Sequence, residues 1–294
     1  PSKHLSYISS GWVDRFVDFN LPYKGNASSG VIMSSKGGQL SLFDMFNSHS
    51  NFNVAIAGGP ASGTGHTLRE IIFSQLADDG YCWCIESSGS LHKLCDTVEG
   101  HLWDVVSDGG VNPFSLIDKN DEYDYEDTLD WVKRYIFNLA ECDEKYRNEL
   151  YKIIDNLIWE RGNDASMTSI VERLYESSLN HLADTLKPFS EEGKWKKYFQ
   201  RNVDDIPNDG FILFELPANG SKNINSAINV LLLRAFQHKI RHGLRDRKSL
   251  IVQYDYPDIL NDETSCIYVE ELMRRCRKFR ASSVVDAPSL EGLF

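Results

Sequence analysis

No apolar run of 18 or more residues occurs in the 294-residue sequence, so the chain carries no segment of its own that crosses a bilayer as a helix. It also lacks the charged, apolar and small-residue succession of a signal peptide, so no secretion address is expected. It begins at Pro1 rather than Met, as expected of an excised fragment. Cysteine is sparse. The six residues at 82, 84, 95, 142, 266 and 276 are too scattered for a disulfide framework, and none has zinc-ligand spacing. Cys82-Trp-Cys84 alternates within an apparent strand, so its thiols are expected to be buried and reduced. Positive charge is short too: 31 Lys and Arg stand against 43 Asp and Glu, a net charge of −12. This opposes sequence-independent binding to phosphate backbones, and nucleic acid is not an expected partner. Neither Ser/His/Asp nor Cys/His catalysis has a local signature.

What is present reads as an α/β chain. Residues 1–28 are a polar leading segment with one amphipathic stretch, Trp12 to Val17. From Gly30 the punctuation is regular. Val31–Met33 and Leu40–Phe43 look like a strand pair, Val54–Ala57 a buried strand and Thr67–Leu76 a helix. Tyr81–Ile85 follows as a strand, Ser90–Val98 as a helix and Leu102–Val106 as a strand. Strands alternating with helices predict a parallel sheet covered on both faces. Residues 29–117 are therefore the first part of an α/β core. From 118 to 205 the period becomes helical, at Leu129-Val132-Ile136-Leu139, Leu150-Ile154-Leu157-Ile158 and Ile170-Leu174, which predicts an inserted helical subdomain. Residues 206–294 return to the core, with strands at Phe211–Leu216, Leu250–Val252 and Ser283–Val285. Helices are expected at about Ile224–His242 and Cys266–Phe279.

The stretch Asn53 to Thr67 has the build of a strand, a phosphate loop and a helix. The pattern G-x-x-x-x-G-K-[ST] requires Gly at 60 and Lys at 66; the chain has Pro60 and His66, with Gly63, Gly65 and Thr67 in place. Ser62, Gly63, Thr64, Gly65, His66 and Thr67 are the candidate phosphate-binding residues, and the Thr67 hydroxyl is the candidate magnesium ligand. In such loops backbone N–H groups and a helix N-terminus face the anion, while lysine adds a mobile charge. Imidazole, with an ordinary pKa of about 6.5, is a poor replacement for it. A glycine-rich turn with no ligand is the competing reading. A hydrolase of this class also needs an apolar strand ending in acids for magnesium and water. After Ser249–Val252 stand Gln253 and Tyr254, and Asp255 lies two residues too far along, as a metal ligand or as a surface turn residue.

Three charged features have structural as well as functional readings. The acidic run Asp121–Asp127 suits a solvated helix N-terminus, with a metal site as the alternative. His238 and His242, spaced i, i+4, fit an exposed helix face or a shared metal. The basic cluster Arg274-Arg-Cys-Arg-Lys-Phe-Arg280 suits a helix C-terminus, or supplies an arginine to a neighbouring subunit's phosphate site.

The order of segments resembles the C-terminal ATPase domain of the TraC-type conjugation ATPases of type IV secretion systems. It runs through Gly38-Gln-Leu, Asn53-Val-Ala-Ile-Ala, Ile85 to Cys95, Asn112-Pro-Phe-Ser115 and Ile158 to Asn163. It continues through Leu186 to Gly193, Tyr198-Phe199 and Phe211–Leu216 to Arg274–Lys278, so it covers about residues 30 to 294. The resemblance implies a RecA-like P-loop core with an inserted helical subdomain, ATP and magnesium as ligands, and hexamers working with other secretion components at the cytoplasmic face of the inner membrane. It also implies that Arg274, Arg275 and Arg277 face a neighbour's nucleotide.

The departures fall on the polar catalytic positions. His66 replaces lysine, Gln253 and Tyr254 replace an Asp-Glu pair, Glu86 stands where Asp is usual and Gly89 where Arg is usual. Asp286-Ala-Pro288 occupies the segment where a sensor Gln is expected after the last strand. The apolar frame survives intact. A natural pseudoenzyme that keeps its assembly surfaces produces this pattern, and so does a sequence redesigned around a ligand-free backbone. The expectation is a nucleotide-binding frame with weak or lost ATP binding and impaired or absent hydrolysis. The alternatives are an active motor using His66 and Asp255, and a protein-interaction module that binds no nucleotide.

Overall fold

The computed structural model describes residues 25–34, 38–119, 122–217, 220–244, 247–254 and 263–289. The amphipathic stretch Trp12–Val17 and Asp255 lie outside them. Eight strands are present among the described residues: β1 (Val31–Ser34), β2 (Leu40–Phe43), β3 (Val54–Ala57), β4 (Tyr81–Glu86), β5 (His101–Asp104), β6 (Phe211–Glu215), β7 (Ser249–Gln253) and β8 (Ala281–Ala287). β1 and β2 form an antiparallel pair, and the other six form one parallel sheet in the order β3-β8-β7-β4-β6-β5. The central strands β4, β6 and β7 are buried almost throughout, which is why they read as unbroken apolar runs rather than alternating ones.

The two faces of the sheet carry separate cores. Cys82, Cys84, Leu213, Leu250, Val252 and Val284 face α1 (Thr64–Ala77) and α2 (His92–Thr97), where Leu68, Ile71, Ile72 and Leu94 cover them. Tyr81, Trp83, Ile85, Ile212, Phe214 and Ile251 face the other way. Trp83 anchors that side, with ring centroids 4.6 Å from Phe214 and 5.6 Å from Phe236. Phe236 belongs to α7 (Lys222–His242), a 21-residue helix that returns the chain from β6 to β7. Between β5 and β6 lie α3 (Glu122–Leu139), α4 (Arg147–Arg161), α5 (Met167–Glu176) and α6 (Asn180–Leu186). Their buried positions keep helical spacing: Leu150, Ile154, Leu157 and Ile158 in α4, and Met167, Ile170, Val171 and Leu174 in α5. Ser166 starts α5 by accepting a hydrogen bond from the Ser169 N–H at 3.2 Å. The last helix is α8 (Glu263–Arg275), continued by a 3-10 turn over Cys276–Phe279.

Two charged features differ from expectation. The acidic run is not a solvated helix end, because Asp124 is buried and Asp127 only half exposed. Arg241 pairs with Asp124, while Arg234 at 3.1 Å and Arg275 at 2.8 Å converge on Asp127. These contacts pin α3 to α7 and α8. Among the described residues no group of three or more acids, histidines or cysteines is placed to hold a metal.

Of the two histidines on α7, His242 is exposed as expected, but His238 is half-buried. α7 sits between the sheet and the inserted helices and is buried nearly all round. His238 packs its ring 4.4 Å from His242, and its Nδ1 is buried without a partner. Burial, with repulsion from His242, lowers the His238 pKa from 6.5 to about 4. The folded state thus holds this ring neutral while the unfolded chain protonates it, so stability is full above pH 6.5 and falls as pH drops toward 4. The shift corresponds to roughly 3 kcal/mol. Melting curves at pH 7 and pH 4 should therefore differ less in His238→Leu than in the parent; an unchanged difference contradicts the assignment.

Candidate functional site

At the C-terminal end of β3 the chain turns through Gly58 to Gly63 into α1. The Gly58 N–H donates to the Ala287 carbonyl at 3.2 Å, which ties the start of the loop to the end of β8. The loop is tightly curled: a Cβ at Gly58 would lie 2.4 Å from Ser62 Oγ and 2.7 Å from Thr64 Cγ2. Gly63 has φ of 95°, a conformation in which a side chain is strained, and its carbonyl accepts from the N–H groups of His66 and Thr67 at 3.0 Å each. Gly63 is also the N-cap and brings no side-chain acceptor. The N–H groups of Thr64 and Gly65 at the helix tip are left without an acceptor among the described residues, which is the arrangement that receives anions. The sequence-expected set from Ser62 to Thr67 is thus gathered around one helix end.

The cationic part is missing from this cradle. His66 is 77% exposed on its side chain and lies 4.0 Å from Glu70, one helical turn onward. Thr67 is half-buried in the first turn of α1. Pro60 occupies the exposed crest of the loop and offers no N–H.

The strand expected to supply the acids is β7, and its pairing decides which of Gln253 and Tyr254 faces the loop. Gln253 pairs with Ile85 and shares the face of Ile251 and Trp83, so it points away from the loop. It is fully buried there with both amide atoms unpartnered. Tyr254 is the residue that faces the loop. It packs against the α1-side core, and its Oη lies 3.5 Å from where a Cβ at Gly65 would stand. A phenol therefore stands where the water-polarising acid was expected, and the position expected to hold the magnesium acid, Gln253, faces the other way. Asp286 is also placed differently, because β8 continues to Ala287 and the residue lies inside the strand. It is buried on the same face as Ile56 and one position beyond the Gln253–Val285 pair, which sets its carboxylate under the loop.

On the far side of this cleft Glu86 ends β4, fully buried. Its carboxylate accepts from the N–H groups of Ser90 at 3.0 Å and Leu91 at 3.1 Å, and from the Ser88 hydroxyl at 3.1 Å. Burial raises its pKa, and these bonds oppose the rise. Glu86 thus organises the turn before α2. Gly89 in that turn has φ of 69°, which disfavours the arginine expected there, and His92 and Glu215 meet beside it at 3.0 Å.

The arginines lie at the opposite end of the sheet, where Asn53 Nδ2 donates to the Met273 carbonyl beneath β3. Arg274 pairs with Glu270 at 2.6 Å, Arg275 is held by Asp127, and Arg277 lies over the Phe52 ring at 5.9 Å. None reaches the loop of its own chain. Asp286 and Glu86 were visible in the sequence only as departures from a pattern, and Arg69 carried no signal beyond its place after Thr67.

No protein-family model matches the sequence, and no curated protein does. Among solved structures, VirB4 of Thermoanaerobacter pseudethanolicus superposes with a TM-score of 0.77 at 15% identity, over 90% of this chain and 78% of that one. The plasmid coupling protein TrwB in complex with ADP and Mg2+ follows with a TM-score of 0.58 at 11% identity, over 97% and 72%. TrwB with the non-hydrolysable GTP analogue GDPNP gives 0.51 at 14%, over 82% and 64%. The likeness is one of shape over most of this chain, at identities of 15% and below. The chain has the RecA-like P-loop fold of VirB4 and TrwB.

Proposed function

We propose that this chain is a TraC-like conjugation or type IV secretion domain that binds nucleotide phosphates weakly and has lost most or all ATP hydrolysis. The observation that carries it is the pairing at Gly65: free N–H groups at the tip of α1 on one side, and the Tyr254 phenol on the other. The first supports anion binding; the second, with Gln253 turned to the other face, leaves the loop without the acid pair for magnesium and water. The TrwB complex with ADP and Mg2+ supports ATP-magnesium as the ligand. In this reading residues 29–117 and 206–294 form the core and 118–205 the helical subdomain. The chain assembles as a homo-oligomer with other secretion components at the inner face of the bacterial membrane. Arg274, whose only partner among the described residues is Glu270 of its own helix, is then the arginine best placed to meet a neighbour. Magnesium would rest on Thr67.

Melting curves with increasing ATP test the proposal. A rise in melting temperature that grows with nucleotide, with turnover far below that of an active motor, is the expected result. The rise should shrink in Gly63→Val, which strains the turn while leaving α1 otherwise intact. Turnover like that of an active motor would contradict the proposal. The absence of any shift would instead favour an interaction module, a reading to which the buried carboxylate of Asp286 beneath the loop lends weight.

A further inference from the structure

We infer that Arg69 supplies the positive charge to a phosphate held at the tip of α1, in place of the missing lysine. The inference rests on the nucleotide-binding reading above and names the cation of that same site.

Arg69 lies four residues after Gly65, so the two share one face of α1, and side chains on a helix lean toward its N-terminus. Gly65 has no side chain, so only bare backbone separates the guanidinium from the loop. That face looks into the cleft, since the Tyr254 hydroxyl lies 3.5 Å from a Cβ placed at Gly65. Across the cleft stands the turn before α2, and Arg69 Nη2 donates to the Ser90 carbonyl there at 3.4 Å, a long bond. No carboxylate pairs with Arg69 among the described residues, whereas the neighbouring Glu70 lies beside His66. An arginine with one weak neutral acceptor exchanges it readily for an anionic oxygen, because charge-assisted bonds are about twice as strong as neutral ones. His66 lies on a different face of the helix, toward Glu70 and solvent.

Titration calorimetry with ATP-magnesium and, separately, inorganic tripolyphosphate tests this on the full chain. Arg69→Met should weaken both ligands by about 10-fold or more and flatten the salt dependence of binding, while Arg69→Lys retains part of the affinity. Equal losses for both ligands place the contact on phosphate. Melting temperatures of the free variants should match the parent, since only one long hydrogen bond is lost. If the parent binds and Arg69→Met binds equally well, or if Arg69→Lys is no better than Arg69→Met, the inference fails and the nucleotide reading stands. If the parent binds neither probe, both fail.

Discussion

The paired substitution His66→Lys with Tyr254→Asp is expected to raise ATP turnover by about 10²–10³-fold over the parent chain, the scale of a preorganised electrostatic contact in a hydrolase. The expectation follows from what surrounds Gly65. The loop already presents its N–H groups and the Thr67 hydroxyl lies in the first turn of α1. A lysine at 66 adds the charge, and an aspartate at 254 adds the acid on the side that Tyr254 now fills. Neither change is sufficient alone. Lysine without the acid strengthens binding and leaves magnesium unplaced. Aspartate without lysine sets a second carboxylate near Asp286 and repels the phosphates. Phosphate release at saturating ATP-magnesium, measured with binding, separates these cases. A double variant that binds ATP tightly and turns it over no faster than the parent would sink the reading.

Asp127→Ala is expected to be the most destabilising single change on the surface of the inserted helices. Arg234 is 4% exposed and depends on Asp127 at 3.1 Å for its only ion pair among the described residues. Its other acceptors, Thr128 Oγ1 at 2.8 Å and Gln237 Oε1 at 3.0 Å, are neutral. Arg275 loses its two-pronged contact at 2.8 and 3.2 Å in the same step. Breaking a buried pair from one side typically costs about 3–5 kcal/mol, because the remaining charge has no water to return to. In a chain of this length that lowers the melting midpoint by on the order of 10 °C. Burial alone would raise the Asp127 pKa, but hydrogen bonds from Arg275 and the charge of Arg234 outweigh it and hold it below 3.8. Its contribution is therefore complete above that pH and lost as pH falls through the lower folded value. Replacing both partners, as Asp127→Leu with Arg234→Met, should recover most of the loss. A single Asp127→Ala that melts within a degree of the parent would show the network to be idle.

The sheet was legible in the sequence because its central strands are long apolar runs bounded by turn residues, and the helices because their apolar positions recur at helical spacing. Local pattern set element type and order. It did not set which side of a strand a polar residue takes, since a shift of one residue exchanges the faces. Gln253 and Tyr254 show this: both end the same apolar run, and only the pairing of Gln253 with Ile85 and Val285 puts the tyrosine at the loop. Asp286 was obscured in the same way, because β8 runs two residues past Val285 to Ala287. The acidic run was misjudged because its partners come from α7 and α8, more than 90 residues away in sequence for Asp127 and Arg234, and His238 because its helix is packed between the sheet and the inserted helices. The loop itself was readable because glycine at a left-handed position announces its own conformation.

Among the described residues β3 is the edge of the six-stranded sheet and is joined to it only through β8, with Val54 opposite Val284 across 230 residues of chain. The strand that carries the loop therefore emerges early in synthesis and waits for the last strand before it has anything to pair with. Long-range parallel pairing of this kind forms later than the local contacts of the helices. Until it forms, the Gly58 N–H has no Ala287 carbonyl to hold it and the loop has no floor. A nascent chain that has completed the helices between β5 and β6, and even β4 and β6 beside one another, still has no anion site. In the nucleotide-binding reading proposed above, phosphate binding would report that the whole core has been threaded, delivered by the part of the sheet that is completed last.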